Sequence, residues 1–175
     1  MTANEIVIRP EEAQDLAAIH SVNERAFGSP AEADLVDMLR RNGKAVLSLV
    51  ATAEDSVVGH ILFSIVTIDP DPEGRFRAVG LAPMAVLPER QNRGIGSMLV
   101  RDGLSKCRDA GFEAVVVLGH SHYYPRFGFV PASRFGLTSE YDVPDDVFMA
   151  LELRPGSLKS VRNGIVRYQP EFAAV

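Results

Sequence analysis

The stretch that decides the fold of this chain runs from Leu81 to Leu99 and reads LAPMAVLPERQNRGIGSML. Its first part, up to Leu87, is almost wholly apolar, as in a strand that is buried on both faces. Its last part begins with two glycines and continues with apolar residues at helical spacing. The stretch therefore predicts a strand, a glycine-containing turn and a helix, in that order.

Gly94 and Gly96 make this turn suitable for a bulky anion. Because they have no side chains, the backbone N–H groups at the start of the helix can approach an anion closely. The N-terminus of a helix adds partial positive charge at the same place. This stretch has two arginines, Arg90 and Arg93, and one acid, Glu89, so it has a local positive charge although the whole chain has a formal net charge of −5. The turn thus predicts a pyrophosphate site.

Two common phosphate-binding motifs do not describe this turn. A Rossmann fingerprint, GxGxxG, needs a third glycine at the position that Leu99 occupies. A P-loop needs a lysine followed by serine or threonine after its last glycine, and no such lysine follows Gly94. The anion site must therefore be of another kind.

Two blocks of sequence are similar to those of one enzyme family. The string QNRGIG, Gln91–Gly96, matches the pattern Gln/Arg-x-x-Gly-x-Gly/Ala. The block HYYPRFGF, His122–Phe129, resembles a Tyr-x-x-x-Gly-Phe segment that begins at Tyr124. With one helix and one strand between the blocks, the chain resembles the GCN5-related N-acetyltransferase (GNAT) superfamily, of the bacterial stand-alone type. The resemblance covers residues 45–129 best.

The resemblance implies a GNAT fold for residues 1–175 as a single domain. This is an α/β (α+β) architecture with a mixed, mostly antiparallel central sheet of about six to seven strands, flanked by helices and with splayed central strands. The patterns of the chain agree with it. They predict helices at residues 12–27, 30–43 and 94–110, and strands at residues 5–9, 45–52, 57–68, 79–87, 114–119, 148–153 and 165–168.

The resemblance also implies that acetyl-CoA is the co-substrate and that no metal takes part. The strand end at Met84–Val86 would splay from its neighbour and bind the pantetheine arm through backbone groups. Backbone N–H groups from Arg93 to Ser97 would hold the pyrophosphate. The cofactor-binding residues predicted in this way are Met84, Ala85, Val86, Gln91, Asn92, Arg93, Gly94, Ile95, Gly96 and Ser97.

The implied reaction is direct attack of an amine on the thioester, without a covalent enzyme intermediate. The backbone N–H of Val86 would polarise the carbonyl, and Tyr124 would protonate the leaving thiolate as general acid. The base that deprotonates the amine is open. The candidates are Glu32, His60, His120, His122 or a chain of water molecules.

Simpler structural roles compete for several of these residues. Tyr124 could be a core aromatic residue, with Tyr123 as the acid instead. Glu32 is explained by a capping box with Ser29 as N-cap and Pro30 as the first helical residue. Cys107 lies on an apolar helix face, where a small core residue is expected.

The segment from Gly119 to Tyr123 allows a different class of function. His120 and His122 could bind a metal, although no third ligand is evident. The string GHSHY resembles a nucleophile elbow of hydrolases but has Tyr123 where the motif needs glycine. A metal-dependent or serine hydrolase is therefore a poor alternative.

Composition limits the partners and the location. The chain has 175 residues, of which 46% are apolar and 23% charged, as in one globular domain. Its negative charge argues against nucleic-acid binding, and residues 1–10 lack the apolar run of a signal peptide. The lone Cys107 excludes an internal disulfide. We expect a cytoplasmic protein without membrane or nucleic-acid partners.

The acceptor cannot be identified from these residues. A small-molecule amine is the first expectation, and a peptide amine stays open, as does a homodimeric state. The acceptor segments are expected at residues 24–33 and 134–146, where Glu140, Asp142, Asp145 and Asp146 could attract a cationic amine. A non-catalytic acyl-CoA-binding module of the same fold is the alternative function.

Overall fold

The computed structural model describes residues 5–175, and residues 1–4 lie outside the described part. Its α-helices are α1 (Leu16–Phe27), α2 (Ala31–Arg41) and α3 (Ile95–Asp109). Its strands are β1 (Ile6–Pro10), β2 (Ala45–Ala53), β3 (Ser56–Asp69), β4 (Ala78–Val86), β5 (Ala114–Leu118), β6 (Val130–Pro131), β7 (Thr138–Ser139), β8 (Phe148–Glu152) and β9 (Ile165–Arg167). Every predicted strand is present to within two residues at each end.

The described strands form one mixed sheet. Seven of them follow the order β1-β2-β3-β4-β5-β8-β6, and β9 pairs with both β3 and β7. The pairs β1–β2, β3–β9, β5–β8 and β6–β8 are antiparallel, whereas β4–β5 and β7–β9 are parallel. The mostly antiparallel sheet with flanking helices is confirmed. It has nine strands instead of six or seven because β6 and β7, with two residues each, are too short to leave a sequence pattern.

The predicted start of α2 is wrong in one respect. The helix begins at Ala31 with Pro30 as its N-cap residue, and no side chain caps it. Ser29 Oγ lies 3.4 Å from Glu32 Oε2, so the two side chains contact each other instead of the backbone. Pro30 is suitable both as the N-cap residue and as the first helical residue, because its φ angle suits the start of a helix and it has no N–H that needs a partner.

The described chain is made of two compact units, each with its own core. The first comprises residues up to 63, residues 83–103 and residues 170–175. In it, α1 and α2 pack their apolar faces on β2 and β3 around Ile19, Leu35, Val36, Leu39, Val50 and Leu62. The second comprises residues 64–82 and 104–169. Its buried side chains include those of β5 residues 114–117, Phe129, Leu137, Met149 and Leu158.

Two predictions concern the chain as a whole. Among residues 5–175 the helices are all too short or too polar to span a bilayer. The single domain at residues 1–175 stays a prediction, and the first four of those residues lie outside the described part.

Candidate functional site

The parallel pairing of β4 with β5 ends before either strand does. The register runs from Ala78 opposite Ala114 to Gly80 opposite Val116, whereas β4 continues to Val86. Pro83 lies in the continuing part and has no N–H to donate to a ladder. This geometry agrees with the expected splay of the central strands. The last residues of β4 are not paired with β5.

The turn after β4 is tied to its own unit by hydrogen bonds. Leu87 N–H donates to Val58 O at 2.9 Å, and the Gln91 side-chain amide donates to Val86 O at 3.0 Å. A short 3-10 helix at Pro88–Arg90 lies between these two contacts. The sequence predicts that Gln91 binds the cofactor, and this stays a prediction. In the structure its side chain is bonded to the last residue of β4.

The backbone after Gln91 turns sharply into α3. Asn92 and Gly94 have φ angles of 61° and 82°, in the left-handed region that glycine and asparagine adopt most readily. A Cβ at Gly94 would have no heavy atom within 4 Å, so the space in front of this residue is open. The first intrahelical bond runs from Met98 N–H to Gly94 O at 3.1 Å. The amides of Ile95 and Gly96 precede it and belong to the donors that a helix cannot satisfy internally.

The charges around this turn favour an anion. Glu89, the local acid, is paired with Arg25, whose Nη2 lies 2.9 Å from both carboxylate oxygens. Arg93 is exposed and Arg90 is half-buried. Because Arg25 offsets the charge of Glu89, the two arginines of the turn add positive charge to that of the helix N-terminus.

A glycine that leaves no signature in the sequence, Gly103, fixes the position of α3. A Cβ at Gly103 would lie 2.5 Å from Cε2 and 2.7 Å from Cζ of Phe63. The buried Phe63 ring therefore packs directly on the helix backbone. A single glycine in a helix gives no signal of this contact, since its partner lies 40 residues earlier in the chain.

Tyr124 belongs to the second unit and is buried, at 7% exposure. It begins a short 3-10 helix, Tyr124–Phe127, and packs edge-on against Phe129 with ring centroids 5.7 Å apart. A Cβ at Gly119 would lie 2.9 Å from Cδ2 of Tyr124, so only glycine allows the ring this position at the end of β5. Tyr123 is half-buried and packs under Arg126, which lies 4.5 Å from its ring.

Burial raises the pKa of the Tyr124 hydroxyl well above its usual range, and Tyr123 adds to the effect. The hydroxyl therefore keeps its proton at neutral pH and is a weaker acid than a free tyrosine. A thiol has a lower pKa than tyrosine, about 8.5 against about 10, so proton transfer from Tyr124 to a thiolate is uphill, and the raised pKa adds to its cost.

His60 is part of a buried polar network and is fully inaccessible. Its Nε2 lies 2.8 Å from Ser48 Oγ, which in turn donates to Glu11, and its Nδ1 lies 3.1 Å from Asn23 Nδ2. Since the amide of Asn23 donates, Nδ1 accepts and Nε2 carries the proton. Burial lowers the pKa of His60 to about 4. The ring is therefore neutral and enclosed, which does not suit a base that meets a substrate.

The other candidate bases are accessible. Glu32 is half-buried beside Ser29, whereas His120 and His122 are exposed in the turn that precedes Tyr124. Among residues 5–175, the group of three side chains placed to hold a metal is His20, Asp34 and Asp37, so His120 and His122 gain no third ligand there.

Cys107 is buried and burial raises its pKa to about 12, which confirms the prediction of a core residue.

A cavity of about 420 Å³ lies in the second unit, in the segment predicted to meet the acceptor. Three of the four acids singled out from the sequence line it, and Asp146 does not. The lining residues are Ser133, Leu137, Thr138, Ser139, Glu140, Tyr141, Asp142, Val143, Asp145 and Phe148.

The chain is similar in sequence to a known family of enzymes and to individual members of it. The family model described as "Acetyltransferase (GNAT) family" matches residues 14–129. The chain is 40% identical over 149 residues to the uncharacterized N-acetyltransferase YjhQ of Escherichia coli, a match that covers 83% of this chain and 82% of that protein.

Two solved structures are similar over nearly the whole chain. One is the GNAT family N-acetyltransferase YhbS of Escherichia coli in complex with CoA, with 34% identity, a TM-score of 0.92 and coverage of 99% of this chain and 94% of that one. The other is a GNAT family acetyltransferase of Brucella melitensis in complex with acetyl-CoA, with 36% identity, a TM-score of 0.79 and coverage of 97% and 99%.

Proposed function

Since the chain belongs to the GNAT family of acetyltransferases, we propose that it transfers the acetyl group of acetyl-CoA to the amine of a small molecule by direct attack. The observation that carries this proposal is the turn before α3. Its backbone is left-handed at Asn92 and Gly94, the space before Gly94 is open, and a 15-residue helix begins directly after it. Acetyl-CoA is the co-substrate of the enzyme.

The turn fits the pyrophosphate of acetyl-CoA. The amides of Arg93 to Ser97 would surround the anion, with the helix N-terminus behind them. The arginines at positions 90 and 93 would add charge, while Asn92 shapes the turn. The open space before Gly94 is what a group as large as pyrophosphate requires, since a side chain at this position would enter it.

The end of β4 fits the pantetheine arm. An extended amide chain can add to a strand edge through backbone hydrogen bonds. Met84, Ala85 and Val86 lie beyond the β4–β5 register and would present their backbone groups to it. Gln91 would act as a positioning residue, because its side chain holds Val86 O.

Bound acetyl-CoA supplies an activated acetyl group at its thioester. The N–H of Val86 would donate to the carbonyl oxygen and stabilise the negative charge that develops there. The neutral amine then forms the new C–N bond as the C–S bond breaks, and the Tyr124 hydroxyl gives its proton to the departing sulfur. The amine loses its own proton to a base, for which Glu32, His120, His122 and a water chain are the candidates, since His60 is enclosed.

We expect a Gly94→Glu variant to bind acetyl-CoA at least about tenfold more weakly than the wild type, because a carboxylate would face the pyrophosphate. Calorimetric titration measures the affinity. Gly74→Glu is the matched control, since Gly74 also has a positive φ, 63°, and open space around it but lies in the loop before β4. Equal affinities of the two variants would contradict the placement of the pyrophosphate.

Release of free CoA thiol in the presence of a panel of small amines tests the transferase activity itself. We expect turnover with at least one amine. If acetyl-CoA binds tightly and no amine is acetylated, the chain is an acyl-CoA-binding module, and the proposal is wrong.

A further inference from the structure

The cavity in the second unit combines an apolar wall with negative charge. Leu137 and Phe148 are buried, and Tyr141 and Val143 are half-buried, so one part of the lining is apolar and aromatic. Ser133, Thr138 and Ser139 add hydroxyl or backbone polar groups. At about 420 Å³ the cavity falls in the range that holds small ligands.

The carboxylates of the cavity differ in their partners. Glu140 accepts a hydrogen bond from Tyr168 N–H at 3.1 Å and lies 3.9 Å from Arg167. Asp142 and Asp145 are exposed, and within residues 5–175 neither has an ion-pair partner. The ten lining residues include no lysine, arginine or histidine. Some other acids of the described chain are paired with bases, as for Asp15 with Arg9 at 2.7 Å and Glu11 with Arg40 at 2.8 Å.

The negative charge of the cavity is unfavourable for the amine nitrogen that attacks the thioester. A carboxylate within about 4–6 Å favours the protonated form of an amine. The attacking amine must be neutral, so two carboxylates beside it would lower the fraction that can react. They do suit a second nitrogen that stays protonated, and the apolar wall suits a hydrocarbon spacer next to it.

We propose that this cavity binds a second, protonated amino group of the acceptor through Asp142 and Asp145. The preferred acceptor is then a small diamine or polyamine whose amino groups are joined by an apolar spacer. This inference rests on the proposed function, since it names the acceptor class of the same enzyme.

The test compares two acceptors of equal length, an unbranched diaminopentane and the corresponding aminopentanol, in which a neutral hydroxyl replaces the second amine. For the wild type we expect kcat/KM to be about tenfold higher with diaminopentane, the effect of two exposed ion pairs. The double variant Asp142→Asn/Asp145→Asn should lose this preference, and the loss should appear as a higher KM for diaminopentane. Asp146→Asn is the matched control, because Asp146 is exposed in the same loop and does not line the cavity.

Three results would overturn the inference alone: equal kcat/KM for both acceptors in the wild type, a preference that survives in the double variant, or its equal loss in Asp146→Asn. If no amine is acetylated, the proposed function fails, and binding of diaminopentane by calorimetry still tests the cavity. Binding that the double variant loses and Asp146→Asn keeps would support the cavity as a diamine site. No binding to the wild type would exclude it.

Discussion

Among single residues, Tyr124 is the one whose proposed role as general acid depends most directly on its packing. Two adjacent tyrosines compete for the role of acid, and only their packing separates them. Tyr124 is buried against Phe129 and Gly119, whereas Tyr123 is half-buried under Arg126. A buried hydroxyl with a raised pKa keeps its proton at neutral pH and is therefore available as a donor, although its transfer to a thiolate is uphill because a thiol is the stronger acid.

We expect Tyr124→Phe to lower kcat by about 10²–10⁴-fold, the usual contribution of a general acid. The ring and its packing remain, so acetyl-CoA affinity should not change. Steady-state kinetics with thiol detection, together with calorimetry, measure both quantities. Tyr123→Phe serves as the control and should keep kcat to within about a factor of three. Full turnover by Tyr124→Phe would remove this residue from the acid role.

Among the elements, α3 shows how packing supports the proposed anion site. The N-terminus of the helix is useful only if the helix is held in place, and the contact of Phe63 with Gly103 holds it. Glycine in a helix costs about 1 kcal/mol relative to alanine. The close approach of the aromatic ring explains why alanine does not stand there.

We expect Gly103→Ala to destabilise the protein, although alanine is the better helix former. Its Cβ would lie 2.5 Å from the Phe63 ring, and such overpacking costs about 1–3 kcal/mol, which exceeds the gain in helix propensity. Urea unfolding measures the change. Ser105→Ala, on the exposed side of the same helix, is the control and should be neutral or slightly stabilising. Unchanged or higher stability of Gly103→Ala would show that the Phe63 contact does not constrain the helix.

For the molecule as a whole, we expect the buried His60 network to govern the loss of stability in mild acid. The ring bonds to Ser48 and Asn23, with Glu11 and Arg40 next in the network, and Asp37 and His20 beyond Arg40. The pKa of His60 is lowered to about 4, chiefly by burial, with Glu11 and Arg40 acting in opposite directions. The unfolded chain binds this proton near pH 6.5, so it holds more protons than the folded chain between about pH 4 and 6.5.

The contribution of His60 to stability should therefore be constant above about pH 6.5 and fall as the pH drops toward 4, by up to about 3 kcal/mol. Glu11 and Asp15, whose pKa values are lowered in the fold, add losses only below about pH 4.5. Urea unfolding at neutral pH and at pH 5 measures the difference. His60→Gln should reduce it, whereas His122→Gln, an exposed control, should not. An equal difference in all three proteins would exclude His60 as its source.

Much of this protein follows from its sequence alone. The strand, turn and helix at residues 81–99 can be predicted because hydrophobic period, glycine and helix-start chemistry are local properties. The same stretch, with the block at Tyr124, leads to the GNAT family and so to acetyl-CoA. Cytoplasmic location, the single domain and a homodimeric state stay predictions.

The tertiary structure decided what depends on residues far apart in the chain. His60 resembles a catalytic histidine in the sequence, and only its contacts with Ser48 and Asn23 show a buried core group. The bond of the Gln91 side chain to Val86 O is also seen only in the folded chain, and the role of Gln91 in cofactor binding stays a prediction. The pairing of β4 with β5, which ends at Gly80, and the unpaired Asp142 and Asp145 of the cavity likewise leave no local pattern. Burial and partner choice are properties of the folded chain, because they arise only when distant segments meet.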